Sequence, residues 1–174
     1  MPTASRVILL PAAVIACLAF GVAAADLTYT ARMDGAQNLP EPVKTAATGA
    51  VELRVGADGQ SIAYRITVDR LANAASADLH LGPATSNGPL VVKFWPHGGT
   101  EPKHGEFSGV LAEGTLGTSD LTGPMAGAPL ADLLDELKAG NVYVNVHTND
   151  GVDPPNSGPG DYRLGEIRGQ LVAK

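Results

Sequence analysis

Short runs of alternating apolar and polar residues recur along this chain between clusters of glycine, proline, asparagine and aspartate. The clearest runs lie at 27–33, 48–55, 61–69, 74–81, 89–95, 106–112, 141–148 and 163–173. Alternation is typical of strands that bury one face, and the Asp-Gly pair in residues 57–60 predicts a hairpin between two runs. The pattern therefore predicts an all-β sandwich or barrel.

One segment departs from this alternation. Residues 129–139 (PLADLLDELKA) begin with proline, precede a glycine and carry a stripe of leucines at helical spacing. Proline suits the first turn of a helix, and glycine suits the position after its last turn. The segment predicts one short crossover helix that covers an end of the sandwich and packs its leucines into the core.

The first 25 residues have the organisation of a secretory signal peptide. Arg6 precedes an apolar stretch that runs to Val22, and three alanines end the segment. Pro11 and the shortness of the apolar run argue against a membrane anchor. We therefore expect a secreted or periplasmic mature domain at 26–174, with no transmembrane span.

Cys17 is the single cysteine, and residues 14–17 (VIAC) resemble the lipobox of bacterial lipoproteins. Lipidation at Cys17 would tether the mature chain to a membrane, although the apolar run continues past this residue. Cleavage after Ala25 would instead leave a mature chain without disulfides or thiolate metal ligands. The sequence leaves lipidation open as the minor alternative.

The charge of the chain limits its partners. The net charge is −6, and removal of residues 1–25 takes away Arg6 and no acidic residue, which gives −7. An acidic domain is a poor ligand for nucleic acid or for anionic lipid, since both need a basic surface. The sequence also has no phosphate-binding loop, no dinucleotide fingerprint and no G-x-S-x-G nucleophile motif.

Three predicted strands carry polar side chains on the face opposite their hydrophobic residues. Asp78 and His80 share one face of the 74–81 run, and the hydrophobic residues beside them share the other. The polar faces of the last two runs carry Tyr143, Asn145, His147, Glu166, Arg168 and Gln170. Because strand side chains alternate between faces, we expect His80 to lie outside the core, in an outward-facing polar set.

This polar set could bind a metal ion, because imidazole nitrogen and carboxylate oxygen are ligands of zinc and copper. His80 and His147 would form a three-ligand site with one carboxylate if their strands are neighbours. That carboxylate is Asp78 or Glu166. The alternative is a cross-strand hydrogen-bond network on a solvated or loop-covered face, and spacing alone leaves both interpretations open.

Two long loops, 96–105 and 149–162, are rich in glycine, proline and charged residues. The first contains His97 and His104, which could complete a metal site but are expected to lie in solvent. The second contains three aspartates, Asp150, Asp153 and Asp161. Their spacing matches no EF-hand, so we expect a flexible acidic loop rather than a calcium site.

Several motifs occur in an order that resembles the CHRD domain, first described in chordin and common in secreted bacterial proteins. Residues 34–40 (DGAQNLP) are similar to an SGAQEVPP-type opening, and residues 77–84 (ADLHLGPA) to an A-H-I-H-G-P-A phrase. Residues 143–148 and 165–170 resemble the closing Y-V-N-V-H-T and G-E-I-R-G-Q phrases. The resemblance extends over residues 27–173.

The resemblance implies an antiparallel β-sandwich with Greek-key character, located outside the cell or in the periplasm. Two departures bear on a metal site. Asp78 stands where the family has the first histidine of its H-x-H, and Leu81 is inserted before Gly-Pro. If that H-x-H binds metal in relatives, the ligand set here differs. Segment 149–162 is also longer than the corresponding link in the family.

The family has no well-established enzymatic activity. We therefore expect an exported, non-enzymatic domain that binds a protein partner or a small ligand. The alternative is a copper- or zinc-binding protein that uses His80 and His147. A weaker form of this alternative is a superoxide-dismutase-like copper enzyme, which would need an open metal position and more than two histidines. The H-x-H arrangement is similar in architecture to the copper sites of superoxide-dismutase-like sandwiches, although fold alone does not fix function.

Overall fold

The computed structural model describes residues 27–96 and 103–174. The predicted signal peptide, Cys17 and His97 lie outside these residues. Within them the chain forms eight strands, one α-helix and three short 3-10 turns. The elements are β1 (Thr28–Asp34), β2 (Thr48–Val55), β3 (Ile62–Leu81), β4 (Leu90–Trp95), β5 (Lys103–Leu116), α1 (Leu130–Lys138), β6 (Val142–Thr148), β7 (Ile167–Gln170) and β8 (Val172–Ala173).

The strands form one antiparallel sheet that closes on itself. Its path runs β2-β1-β7-β6-β3, and β3 pairs back with β2. β4 and β5 pair with β3 outside this ring, and β8 pairs with β1. The prediction of an all-β chain with one helix is confirmed, and the barrel-like arrangement is compatible with a sandwich whose two halves share β3.

β3 is longer than the sequence pattern suggests. We predicted separate strands at 61–69 and 74–81, but a single 20-residue strand spans both. Its pairing with β5 shifts register near Arg70 and Asn73, which have φ of 52° and 49°. Bulges of this kind bend a strand without ending it. The bend lets the first half of β3 pair with β2 and the second half with β6.

The other predicted elements need smaller corrections. The hairpin is confirmed, with Val55 opposite Ile62 and Gly59 at a φ of 68° in the turn. The strand predicted at 106–112 extends over Lys103–Leu116. The closing run at 163–173 contains two short strands, β7 and β8, and its first four residues lie outside both.

The core lies inside the closed sheet, and α1 contributes to it. Leu130, Leu133 and Leu137 are buried, and Leu134 is half-buried against the same cluster. The helix therefore packs its predicted leucine stripe into the core, as expected. Across residues 27–96 and 103–174, no helix combines the length and the apolar character needed to cross a membrane.

Candidate functional site

The polar side chains singled out in the sequence lie on the non-core side of β3, β6 and β7. These strands are neighbours, and their register sets the side chains in rows. In the first row, Ser76 of β3 lies opposite His147 of β6. The other two rows run from β3 through β6 to β7, and they are Asp78–Asn145–Arg168 and His80–Tyr143–Gln170. A polar surface three strands wide therefore backs the aliphatic core.

This surface is covered by loops, so of the solvated and loop-covered faces that the sequence left open, the structure has the loop-covered one. Asp78, Tyr143, Asn145 and Arg168 are each no more than 6% exposed. The cover consists of three loops: the 3-10 turn after β1, the connection between β3 and β4, and the segment that precedes β7. Hydrogen bonds from Arg168, Asn145 and His147 to loop carbonyl oxygens hold these loops on the surface.

Asp78, His80 and His147 form a cluster under this cover. Each offers one ligand atom, and the three atoms lie within 4.8 Å of one another. Nε2 of His147 is 3.5 Å from Oδ2 of Asp78, and the two imidazole centres are 6.2 Å apart. Metal–nitrogen bonds of about 2.0–2.1 Å put tetrahedral ligand atoms about 3.3 Å apart. One pair already has nearly this separation, and the third ligand atom lies within 4.8 Å of both, so it would have to approach by up to about 1.5 Å to complete the site.

Both imidazoles are oriented by backbone carbonyl groups. Nδ1 of His80 donates to the carbonyl of Gly88 at 3.1 Å, and Nδ1 of His147 donates to that of Arg163 at 3.0 Å. A carbonyl oxygen only accepts, so each Nδ1 carries the hydrogen and each neutral ring keeps a lone pair on Nε2. Metal-ligating histidines are commonly held in this way.

Two atoms of the cluster residues are buried without a hydrogen-bond partner among the described residues. Nε2 of His80 and Oδ1 of Asp78 make no hydrogen bond to any residue that the structure describes. Oδ2 of Asp78 accepts a hydrogen bond from Ser76 at 2.7 Å. Buried polar atoms normally have partners, and both of these atoms carry lone pairs. The cluster therefore presents two acceptors to a cation or a donor.

The surroundings of His80 favour its neutral form. Burial is the largest influence and lowers the pKa of His80 below its ordinary value of 6.5, while His147 and Arg168 act in the same direction. The hydrogen bond to Gly88 and the charge of Asp78 oppose this shift. A neutral imidazole is the form that binds metal ions.

Glu166, the fourth sequence candidate, lies apart from this cluster. Its carboxylate accepts hydrogen bonds from the hydroxyls of Thr45 and Thr148 and from the backbone N–H of Gly160. Glu166 precedes β7, in a bend that follows Gly165 at a φ of 123°. The strict alternation assumed from the sequence does not extend to a bend. Glu166 instead ties together the loops around the polar surface.

The remaining sequence candidates lie elsewhere. His104 is exposed near the start of β5. In the acidic loop, Asp161 is buried and accepts hydrogen bonds from the N–H and the hydroxyl of Ser157, while Asp153 pairs with Arg163 at 3.2 Å. Within residues 27–96 and 103–174, the aspartates of this loop do not form a group of metal-ligand spacing. The loop is tied down by its own side chains.

Gly88 and the carbonyl group of Arg163 are contributors that the sequence did not reveal. Both act through backbone atoms, so no side-chain motif marks them. The sequence identified Tyr143 and Arg168 only as residues on the polar faces of their predicted strands. Their stacking, described below, depends on the register between strands that are distant in the sequence.

Residues 29–155 match the CHRD domain family. The match covers well over half of the 174-residue chain and ends before the G-E-I-R-G-Q phrase at 165–170. No curated protein and no solved structure matches the chain. CHRD is an extracellular-type domain associated with binding rather than with catalysis. On the strength of this match, the chain belongs to the CHRD domain family.

Proposed function

We propose that this chain is an exported, non-enzymatic CHRD domain whose ligand is a zinc or copper ion held by Asp78, His80 and His147. The observation that carries the proposal is the geometry of the two imidazoles. Each donates from Nδ1 to a backbone carbonyl, which leaves the lone pair on Nε2, and one ring nitrogen of each lies with a carboxylate oxygen of Asp78 in a group of three atoms within 4.8 Å of one another. This is the tautomer and orientation that a metal ion requires.

The donor set supports zinc and copper in particular. The two imidazole nitrogens are borderline ligands, which suit zinc and copper better than magnesium or calcium, and a carboxylate oxygen commonly completes zinc sites. Three protein ligands also leave a coordination position for water or another small ligand. The uncompensated lone pairs of His80 and Asp78 support an ion in preference to a self-contained hydrogen-bond network.

The export part of the proposal rests on the composition of residues 1–25 and on the extracellular character of the family. Outside the cytoplasm, a site without cysteine has the advantage that oxidation cannot convert its ligands into disulfides. The mass of the mature protein tests this part. A chain that starts at Asp26 supports ordinary cleavage, a lipidated Cys17 supports the tether, and an uncleaved Met1 contradicts export.

Titration of the metal-free protein with zinc or copper tests the metal site. We expect the wild type to bind one equivalent, and the His80→Ala/His147→Ala double variant to bind none. Asp78→Asn keeps the shape of the side chain but loses its charge, so we expect at least tenfold weaker binding. His104→Ala is the matched control, because this histidine is exposed and apart from the cluster.

The outcomes of this titration are distinct. A folded wild type that binds no zinc or copper at micromolar concentration overturns the proposal. Stoichiometric binding that survives in the folded double variant overturns the choice of ligands. Loss of binding in His104→Ala would place the site elsewhere on the chain.

A further inference from the structure

Arg168 of β7 is buried, with a residue exposure of 2%, and no carboxylate pairs with it among the described residues. Its guanidinium instead donates four hydrogen bonds of 3.0–3.2 Å to backbone carbonyl oxygens. The acceptors are Gln37, Pro83, Ala84 and Ser86. A buried cation is costly unless it is hydrogen-bonded, so these contacts strongly favour one position of the acceptor loops.

Three of the four acceptors belong to the loop at 82–89, which joins β3 to β4. The same loop supplies the carbonyl of Gly88 that accepts the hydrogen on Nδ1 of His80. Gly88 is also packed too tightly for a side chain, because a Cβ atom there would lie 1.6 Å from the carbonyl oxygen of Leu81. One short loop therefore connects the buried guanidinium to the imidazole of the cluster.

Tyr143 provides a second connection between the same two groups. The Cζ atom of Arg168 lies 3.9 Å from the centre of the Tyr143 ring, and that ring stacks on His80 at 5.0 Å and 12°. The N–H of Gly88 donates to the Tyr143 hydroxyl at 3.1 Å. Tyr143 thus lies between the guanidinium and the imidazole, and its hydroxyl contacts the loop end that orients His80.

We propose that Arg168 is a positioning residue for the metal cluster. By fixing the 82–89 loop, it holds the Gly88 carbonyl where that group keeps the hydrogen of His80 on Nδ1 and leaves Nε2 free to bind. The importance of Arg168 for metal binding rests on the proposed function, but its effect on the tautomer of His80 exists without a metal ion. A lysine keeps the charge but lacks the planar fork that reaches four carbonyl groups.

The tautomer of His80 is measured in metal-free, ¹⁵N-labelled protein by long-range proton–nitrogen correlation at neutral pH. We expect hydrogen on Nδ1 in the wild type. In Arg168→Lys and Arg168→Gln we expect a mixture of tautomers and a 10–100-fold loss of zinc affinity, the usual effect of removing an outer partner of a ligand. Arg65→Lys, on the surface beside Glu113, is the matched control and should change neither quantity.

A further variant leaves Arg168 intact. Insertion of Gly-Gly after Ser86 lengthens the loop between the residues that Arg168 holds and Gly88. It should produce the same mixed tautomer even if substitutions of Arg168 prevent folding. Tyr143→Phe keeps the stacked ring but removes the hydroxyl contact with Gly88, so we expect a smaller shift in the same direction.

Hydrogen on Nε2 in the wild type overturns the proposal. So does an unchanged tautomer in the folded loop insertion or in folded Arg168 variants. If the wild type binds no metal, the proposed function fails, while the tautomer comparison still decides whether Arg168 positions His80.

Discussion

The two faces of β6 are both buried, but one is stabilised by the removal of aliphatic side chains from water and the other by hydrogen bonds between polar groups. One face carries Val142, Val144 and Val146, which have no exposed surface. The other carries Tyr143 and Asn145, which are 2% and 6% exposed. The valines need only to be removed from water, whereas each polar atom on the other face needs a partner of the right kind.

Because of this difference, unpaired atoms on the polar face can indicate a binding site, whereas the aliphatic face gives no such indication. A buried valine is satisfied by any close-packed neighbour. Glu166, in the bend before β7, accepts three hydrogen bonds, whereas Nε2 of His80 and Oδ1 of Asp78 on the polar face accept none from the described residues. The satisfied carboxylate of Glu166 is therefore structural, and the unsatisfied atoms of the polar face mark the candidate binding site.

The largest effect should come from the aliphatic face. Leu79 is fully buried on β3, between the candidate ligands Asp78 and His80. We expect Leu79→Ala to lower the free energy of unfolding by about 2–5 kcal/mol, because it leaves a cavity in a close-packed core. Urea denaturation measures this loss. Val172→Ala, at an exposed position, is the control and should change stability by less than about 0.5 kcal/mol.

If the proposed site binds a metal ion, Leu79→Ala should retain that binding at temperatures where it remains folded, since its side chain is on the opposite face from the candidate ligands. Loss of binding in the folded variant would contradict the separation of the two faces.

An intermediate effect is expected at Glu166. In Glu166→Gln the amide oxygen can still accept from Thr148 and from the N–H of Gly160, which share Oε2. The amide nitrogen then faces the hydroxyl of Thr45, which loses the acceptor Oε1. We expect a loss of about 1–3 kcal/mol in the free energy of unfolding, the cost of leaving buried polar groups unpaired. Glu113→Gln, at an exposed ion pair, is the control. If the proposed site binds one ion per chain, that stoichiometry should be unchanged, and its loss in folded Glu166→Gln would assign this residue to the site.

The smallest effect concerns the pH dependence of the metal-free protein. Burial lowers the pKa of His80 in the folded state below its ordinary value of 6.5. At pH values between 6.5 and the lowered pKa, His80 is therefore protonated more often in the unfolded chain than in the folded one. Stability therefore decreases as the pH falls from 6.5 through the lowered pKa. We expect this decrease to be smaller in His80→Gln, as measured by urea denaturation at several pH values. Equal pH dependence in both proteins would contradict the assignment.

Much of the fold could be predicted from the sequence, because inward-facing residues alternate along most strands and α1 has a regular leucine stripe. The continuity of β3 could not, since residues 70–73 bend the strand through two left-handed residues that are neither glycine nor proline. Where side chains alternate regularly, the register of the pattern assigns each residue to a face. Where a bulge shifts that register, the pattern alone suggests an interruption.

The same reasoning separates the candidate ligands. Asp78 and His80 lie two residues apart on a regular part of β3. Because side chains alternate between the two faces of a strand, the sequence correctly predicted that both lie on the same face. Glu166 follows Gly165, whose φ of 123° breaks the alternation, so the sequence wrongly predicted that Glu166 shares a face with Arg168. The burial of the whole surface was not predictable, because it depends on contacts such as Arg168 with Pro83, which are 85 residues apart.

The ladder between β3 and β6 joins residues 74–81 to residues 142–148. Its formation closes a stretch of roughly sixty residues, which carries an entropic cost that only the collapse of the intervening chain can offset. His80 and His147 come together only when this long-range ladder forms. A chain that ends before β6 lacks His147 and cannot bind an ion through both imidazoles. Metal binding at the proposed site would therefore distinguish fully folded chains from incomplete ones.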